Sequence, residues 1–179
     1  KSFFNSKSIS KKISVKLFIE KVINNVINTI ESDGRLFYIG CGTSGRLGVL
    51  DASECPPTFK TNPSLVQGVI AGGYDALYKS IEGAEDSFDD GQKIILDKNI
   101  KSSDSVVGIS ASGSAQYVLG ALSKSFELGA YTSLITFNDF IGDNSYINEI
   151  ISYNLGPEII SGSTRMKAGT ATKLILNMA

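Results

Sequence analysis

Short, nearly continuous apolar runs alternate along this chain with stretches of helical character, and that alternation constrains its fold more than any other feature. The runs fall at 35–40, 65–70, 105–110 and 132–137, with a weaker one at 150–155. Runs of that length, apolar throughout rather than at every second residue, suit parallel strands covered on both faces. Parallel neighbours need crossovers of a dozen residues or more, and the stretches near 45–53, 74–87, 114–128 and 164–178 are read as helices that supply them. Ahead of the first run, Val15, Phe18, Ile19, Val22, Ile23, Val26, Ile27 and Ile30 recur at steps of three and four, the stripe of an amphipathic helix. Asp33-Gly34 ends it. Right-handed crossovers then give the expected architecture, an α/β class three-layer α/β/α sandwich around a mainly parallel five-stranded sheet. Residues 1–33 are read as an N-terminal segment with its amphipathic helix and 34–179 as the ligand-binding domain. Residues 1–10 carry no periodicity, and the polar stretch 140–148 reads as an exposed loop.

Composition narrows the function. A formal net charge of −1 without a basic run excludes a nucleic-acid stripe or an anionic-membrane patch, yet leaves room for a small anion held by local donors. The apolar runs are far shorter than a membrane span, and no export signal opens the chain, so a cytoplasmic protein is expected. Cys41 and Cys55 lack the partners of a disulfide framework or a zinc site. The chain has no histidine at all, so acid–base chemistry falls to carboxylates, Lys, Tyr or Cys. It begins without Met and stops at Ala179 within an apolar helical pattern, which reads as part of a longer protein.

In open α/β sheets ligands bind beyond the carboxyl ends of the strands. Two turns there look alike: Gly40-Cys-Gly42-Thr43-Ser44-Gly45-Arg46 after the first run and Gly108-Ile-Ser110-Ala-Ser112-Gly113-Ser114 after the third. Glycines admit close approach, hydroxyls donate to oxyanions, and the following helix offers free N–H groups and a partial positive charge. The competing reading is a plain strand-to-helix turn with Ser or Thr as the cap. Gly40, Gly42 and Gly45 match dinucleotide-motif spacing, but 70–73 reads Ile-Ala-Gly-Gly with no ribose-binding acid, so nucleotide binding is not expected. A third Ser/Thr/Gly segment, Ser161-Gly-Ser163-Thr164-Arg165-Met-Lys167-Ala-Gly169-Thr170, again opens a helix.

Two acidic segments stand out. In Asp51-Ala-Ser-Glu54-Cys-Pro56-Pro57 the prolines are expected to stop the helix just after Glu54, near the first anion-type turn. Glu82-Gly83-Ala84-Glu85-Asp86 sits in the second crossover, where a glycine inside a helix costs about 1 kcal/mol and invites a functional reason.

Taken in order, these segments resemble the sugar isomerase (SIS) fold and, more narrowly, the N-acetylmuramic acid 6-phosphate etherase family. The resemblance rests on 34–59, Ile70-Ala-Gly-Gly73, Glu82-Gly-Ala-Glu-Asp86 and Gly162-Ser-Thr-Arg-Met-Lys-Ala-Gly-Thr170, and spans about 34–178. It implies removal of D-lactate from carbon 3 of a sugar phosphate by elimination and water addition, with no metal or other cofactor. It implies Glu54 as proton donor and Glu85 as the second catalytic carboxylate. Gly42, Thr43, Ser44, Gly45, Ser110, Ser112, Gly113, Ser114, Ser163, Arg165 and Lys167 would hold the sugar phosphate, in a homodimer that binds neither nucleic acid nor membrane. One departure concerns the family's Ser-Gly-Arg-Thr-Pro after the third strand, where this chain reads Ser112-Gly113-Ser114-Ala115-Gln116. That segment is closer to the glucokinase regulatory protein, a non-catalytic binder of fructose phosphates, which supplies a second reading. An aldose–ketose isomerase on the same fold is the third.

Overall fold

A computed structural model describes residues 6–178, with the side chains of 6–15 left out, so Val15 of the predicted stripe and the unpatterned residues 1–5 lie outside the description. Helix α1, Ser6–Glu31, is followed by β1, Leu36–Gly40, and α2, Gly42–Phe59. Strand β2 is Val66–Ile70, α3 is Phe88–Asp97, β3 is Ser105–Ile109, and α4 is Gln116–Glu127. Then come β4, Tyr131–Thr136, β5, Glu149–Ser152, and α5, Lys167–Leu176. The five strands form one sheet in the order β2-β1-β3-β4-β5, and every pairing is parallel. The expected sandwich is there.

Two apolar layers flank the sheet. One gathers Phe37, Ile39, Val106, Leu134, Ile95, Val118 and Leu122 under α3 and α4. The other gathers Tyr38, Val107, Ile109, Ile135 and Ile151 with Val22 and Val26 of α1, Ala52 of α2 and Leu176 of α5. Alternate residues of each strand thus serve opposite faces, and β1 and β3 are buried along their whole length. That is why those runs are apolar without alternation.

The second crossover departs most from expectation. The predicted 74–87 helix is a single 3₁₀ turn, Tyr74–Leu77, followed by turns, because Gly83 takes a φ of +71° that no helix accommodates. Gly83 therefore kinks no helix. The crossover helix is α3, which the periodicity reading passed over, although Ser87 accepts from the Asp90 N–H at 3.1 Å and Asp89 and Asp90 occupy the first turn. A capping Ser before two acids was a legible start signal. Helix α2 begins at Gly42 rather than near 45 and runs through Pro56 and Pro57 to Phe59. Proline removes the N–H that would point one turn back but keeps a helical φ, so the final turn forms; Lys60, at φ +57°, ends it by donating its N–H to Pro56 O. The last strand is shorter than expected and α5 starts later, at Lys167, because 153–166 forms an irregular segment over the sheet edge.

Candidate functional site

The chain leaves β1 for β2 on one side, then returns to place β3 on the other, so the strand order reverses between β1 and β3. The carboxyl ends that flank such a reversal are the usual ligand position in open sheets, and the two look-alike turns leave those ends.

In the β1 turn Gly42 has φ +50° and faces open space, while a Cβ at Gly45 would meet Gly40 O at 2.7 Å and Ile70 Cγ1 at 2.6 Å. The first glycine shapes the turn and the second lets α2 begin against the strand. Cys41 stands at the cap position and gives no side-chain hydrogen bond to the helix. The Ser or Thr cap of the competing reading is absent here. Among the described residues the Thr43 and Ser44 hydroxyls make no hydrogen bond, and both are half-buried at the start of α2. Helix N–H groups and spare hydroxyls converge there without an intramolecular acceptor, an arrangement that can take an oxyanion.

The β3 turn is more self-contained. Gly113, at φ +76°, lies against Thr136 and Phe140. Ser110 is buried and accepts from the Ala115 N–H at 3.4 Å, Ser112 Oγ accepts from the Ser114 N–H at 3.2 Å, and the Ser112 and Ser114 hydroxyls lie 2.8 Å apart. Gln116 folds back to donate to Ser114 O at 3.2 Å. The hydroxyls are present, but each is already in use.

The third segment joins them through packing. A Cβ at Gly169 would lie 3.6 Å from Thr43 Cγ2, so the start of α5 rests on the start of α2. A cavity of ≈ 400 Å³ connects Ser112 of the β3 turn with Gly162 and Thr164. Lys167 does not reach into this space: its amine donates to Leu155 O at 2.9 Å. Ser163 and Arg165 lie on the turn before α5, Arg165 exposed.

Glu85 lies beside the β1 turn. With Cys41, Gly42 and Arg46 it lines a cleft of ≈ 310 Å³, and its carbonyl accepts from the Tyr117 N–H of α4 at 3.0 Å. Burial first, then the Glu85 and Asp86 carboxylates, push the Cys41 thiol up to about 12, so it stays protonated and is no nucleophile. Arg46, whose part the sequence did not disclose, ties this crossover to α2 by donating to Leu77 O and Lys79 O, each at 3.0 Å.

Glu54 lies elsewhere. It follows Gly42 by twelve residues on α2, about 18 Å along the helix axis. The cavity it lines, ≈ 500 Å³, also touches Leu65 and Val66, where β2 begins. Asp51 there pairs with Lys173 at 2.9 Å, and burial, followed by the Asp51 charge, raises the Tyr38 phenol. The expectation that Glu54 lies near the first anion-type turn fails because α2 already starts at Gly42, within that turn, and about three helical turns carry Glu54 away from it toward the start of β2. Within one chain the two glutamates face different cavities.

Among the described residues no cluster of three or more metal-ligating side chains occurs, and no helix is long and apolar enough to cross a membrane. The profile of the glucokinase regulatory protein N-terminal SIS domain matches residues 18–126. The N-acetylmuramic acid 6-phosphate etherase of Clostridium acetobutylicum is 54% identical over 153 residues, covering 83% of this chain and 49% of that protein. Etherase 2 of Lactiplantibacillus plantarum is 51% identical over 148 residues, 83% of this chain and 50% of that one. The chain thus spans about half the length of these curated relatives. Among solved structures, phosphoheptose isomerases from Neisseria gonorrhoeae and Francisella tularensis superpose with TM-scores of 0.62 and 0.63 at 17% and 16% identity. Each match covers 96% of this chain, with 90% and 89% of the respective isomerase, and shows the shared fold.

Proposed function

The chain belongs to the SIS family of the glucokinase regulatory protein N-terminal domain, with N-acetylmuramic acid 6-phosphate etherases as relatives at half identity, and on that premise we propose that the whole protein is such an etherase. The observation that carries the reading is Glu85 in one cleft with Cys41, Gly42 and Arg46 at the start of α2, a helix start whose Thr43 and Ser44 hydroxyls have no partner among the described residues. In the open-chain sugar, a carboxylate takes the proton from carbon 2. The carbon 3–oxygen bond then breaks, an acid protonates the departing D-lactate oxygen, and water adds to carbon 3 to give N-acetylglucosamine 6-phosphate. Glu85 takes the base role and Glu54 the acid role, while the β1 and β3 turns hold the phosphate.

One chain cannot bring both carboxylates to one sugar, since they lie at opposite ends of α2. A second copy supplies Glu54. Glu54 is exposed one helical turn from Leu50, itself 47% exposed, on a face of α2 free to meet a partner. The protein then acts as a homodimer. Two unpaired thiols and a phosphorylated substrate fit the cytoplasm.

The test is D-lactate release from N-acetylmuramic acid 6-phosphate by the full-length protein. Glu85→Gln and Glu54→Gln are each expected to lose activity by roughly 10²–10⁴-fold, the usual share of general acid–base catalysis. Mixed in equal amounts and allowed to exchange subunits, the two variants should recover about a quarter of wild-type activity, since half the dimers then carry one intact site. No lactate from wild type ends the etherase reading; lactate without recovery ends the shared site. The second reading, a non-catalytic sensor, draws on the self-paired Ser112 and Ser114 and on Gln116 folded back onto Ser114 O. It requires N-acetylglucosamine 6-phosphate to raise the melting temperature of a protein that releases no lactate.

A further inference from the structure

Glu158 lies on the irregular segment between β5 and α5, and neither catalysis nor packing as described above uses it. Its two carboxylate oxygens accept from the Lys167 and Ala168 N–H groups, each at 2.9 Å. Those groups open α5, which has no side-chain cap from its own flanking residue, Met166. The positive end of a helix is an anion site, and here the chain's own carboxylate fills it. The two N–H donors, followed by the Lys167 charge, hold Glu158 below the usual carboxylate range. With the Lys167 amine drawn to Leu155 O, the base of the segment that carries Ser163 and Arg165 is tied at three points. Glu158 also borders the ≈ 400 Å³ cavity shared by Ser112, Asn138, Asn154 and Thr164. Hydroxyls and amides line that space beside a carboxylate, and a phosphate entering it would meet a like charge.

We infer that Glu158 is a positioning and specificity residue: by filling the start of α5 it bars the substrate phosphate from this third loop and directs it to the β1 and β3 turns. The cavity it borders then receives a neutral, hydrogen-bonding part of the sugar. Its kinetic consequence rests on the etherase reading; its binding consequence does not.

Full-length protein is titrated calorimetrically with inorganic phosphate, and lactate release is followed in parallel. Glu158→Ala is expected to gain a second phosphate site per chain. Glu158→Gln, which keeps an acceptor but loses the charge, should bind phosphate about five-fold more tightly and show a KM about five-fold higher with kcat little changed. Unchanged phosphate stoichiometry in folded Glu158→Ala, with unchanged affinity in folded Glu158→Gln, overturns the inference. If Glu158→Ala does not fold, Glu158→Gln alone decides; failure of both to fold also overturns it, because stability would then account for the residue. Should the wild type release no lactate, the etherase reading falls while the phosphate titration still judges Glu158.

Discussion

At the edge where the strands begin, the Asp104 side chain is 1% exposed and almost every donor near it is spoken for. Arg35 donates to it through its main-chain N–H at 2.9 Å, Nε at 3.2 Å and Nη2 at 2.7 Å, and Lys101 adds its N–H at 2.8 Å. The same Arg35 reaches on to Asn99 O at 2.7 Å. At the edge where the strands end, Thr43 and Ser44 present hydroxyls with no partner among the described residues, and Gly42 leaves room beside them. A buried polar group must find its partner within the chain or lose stability, whereas a half-buried one can stay open to a ligand. The Asp104 corner therefore holds the sheet together, whereas the α2 start has donors to spare for a ligand.

That contrast can be broken in three places. Asp104→Ala should be the most damaging, since it strips a buried carboxylate from Arg35 and from two main-chain N–H groups. A loss of about 3–5 kcal/mol in denaturant unfolding is expected. If the stability of the variant were near that of wild type, the starting edge would not be the anchor described. Gly45→Ala is intermediate, because its new methyl group meets Gly40 O, a backbone atom that cannot step aside. A stability loss of about 1–3 kcal/mol should accompany weaker binding of N-acetylglucosamine 6-phosphate, as α2 is pushed from β1. Weakened unfolding with intact binding would show that the placement of α2 does not matter to the ligand. Ser44→Ala is the mildest and the sharpest: about 1 kcal/mol of ligand affinity, or five-fold in Kd, should vanish with the melting temperature unmoved. A shift in melting temperature without a shift in Kd would make Ser44 a structural hydroxyl and put the two edges on one footing.

The same contrast explains what could be read from the chain. Strands β1 and β3 were legible because both their faces are buried, which favours nearly continuous apolar runs. The β1 and β3 turns were legible because Gly42 and Gly113 take positive φ and hydroxyls surround them. Helix α3 announced itself through Ser87 and two acids, a local signal masked by the helical look of 74–87. Glu158 gave no such sign. It caps a helix nine residues further on, and only the path of 153–166 brings carboxylate and N–H groups together.

From sequence alone come the layered parallel sheet, the helix-facing turns and the acids proposed for catalysis, because periodicity, glycine and motif are properties of neighbours in the chain. Only the tertiary structure decided which of those groups meet. The length of α2 separates Glu54 from Glu85, and the seat of α5 on α2 joins Thr43 to Gly169. Side chains far apart in sequence are brought near or kept apart by rigid helices and their packing angles, and no spacing along the chain encodes that distance.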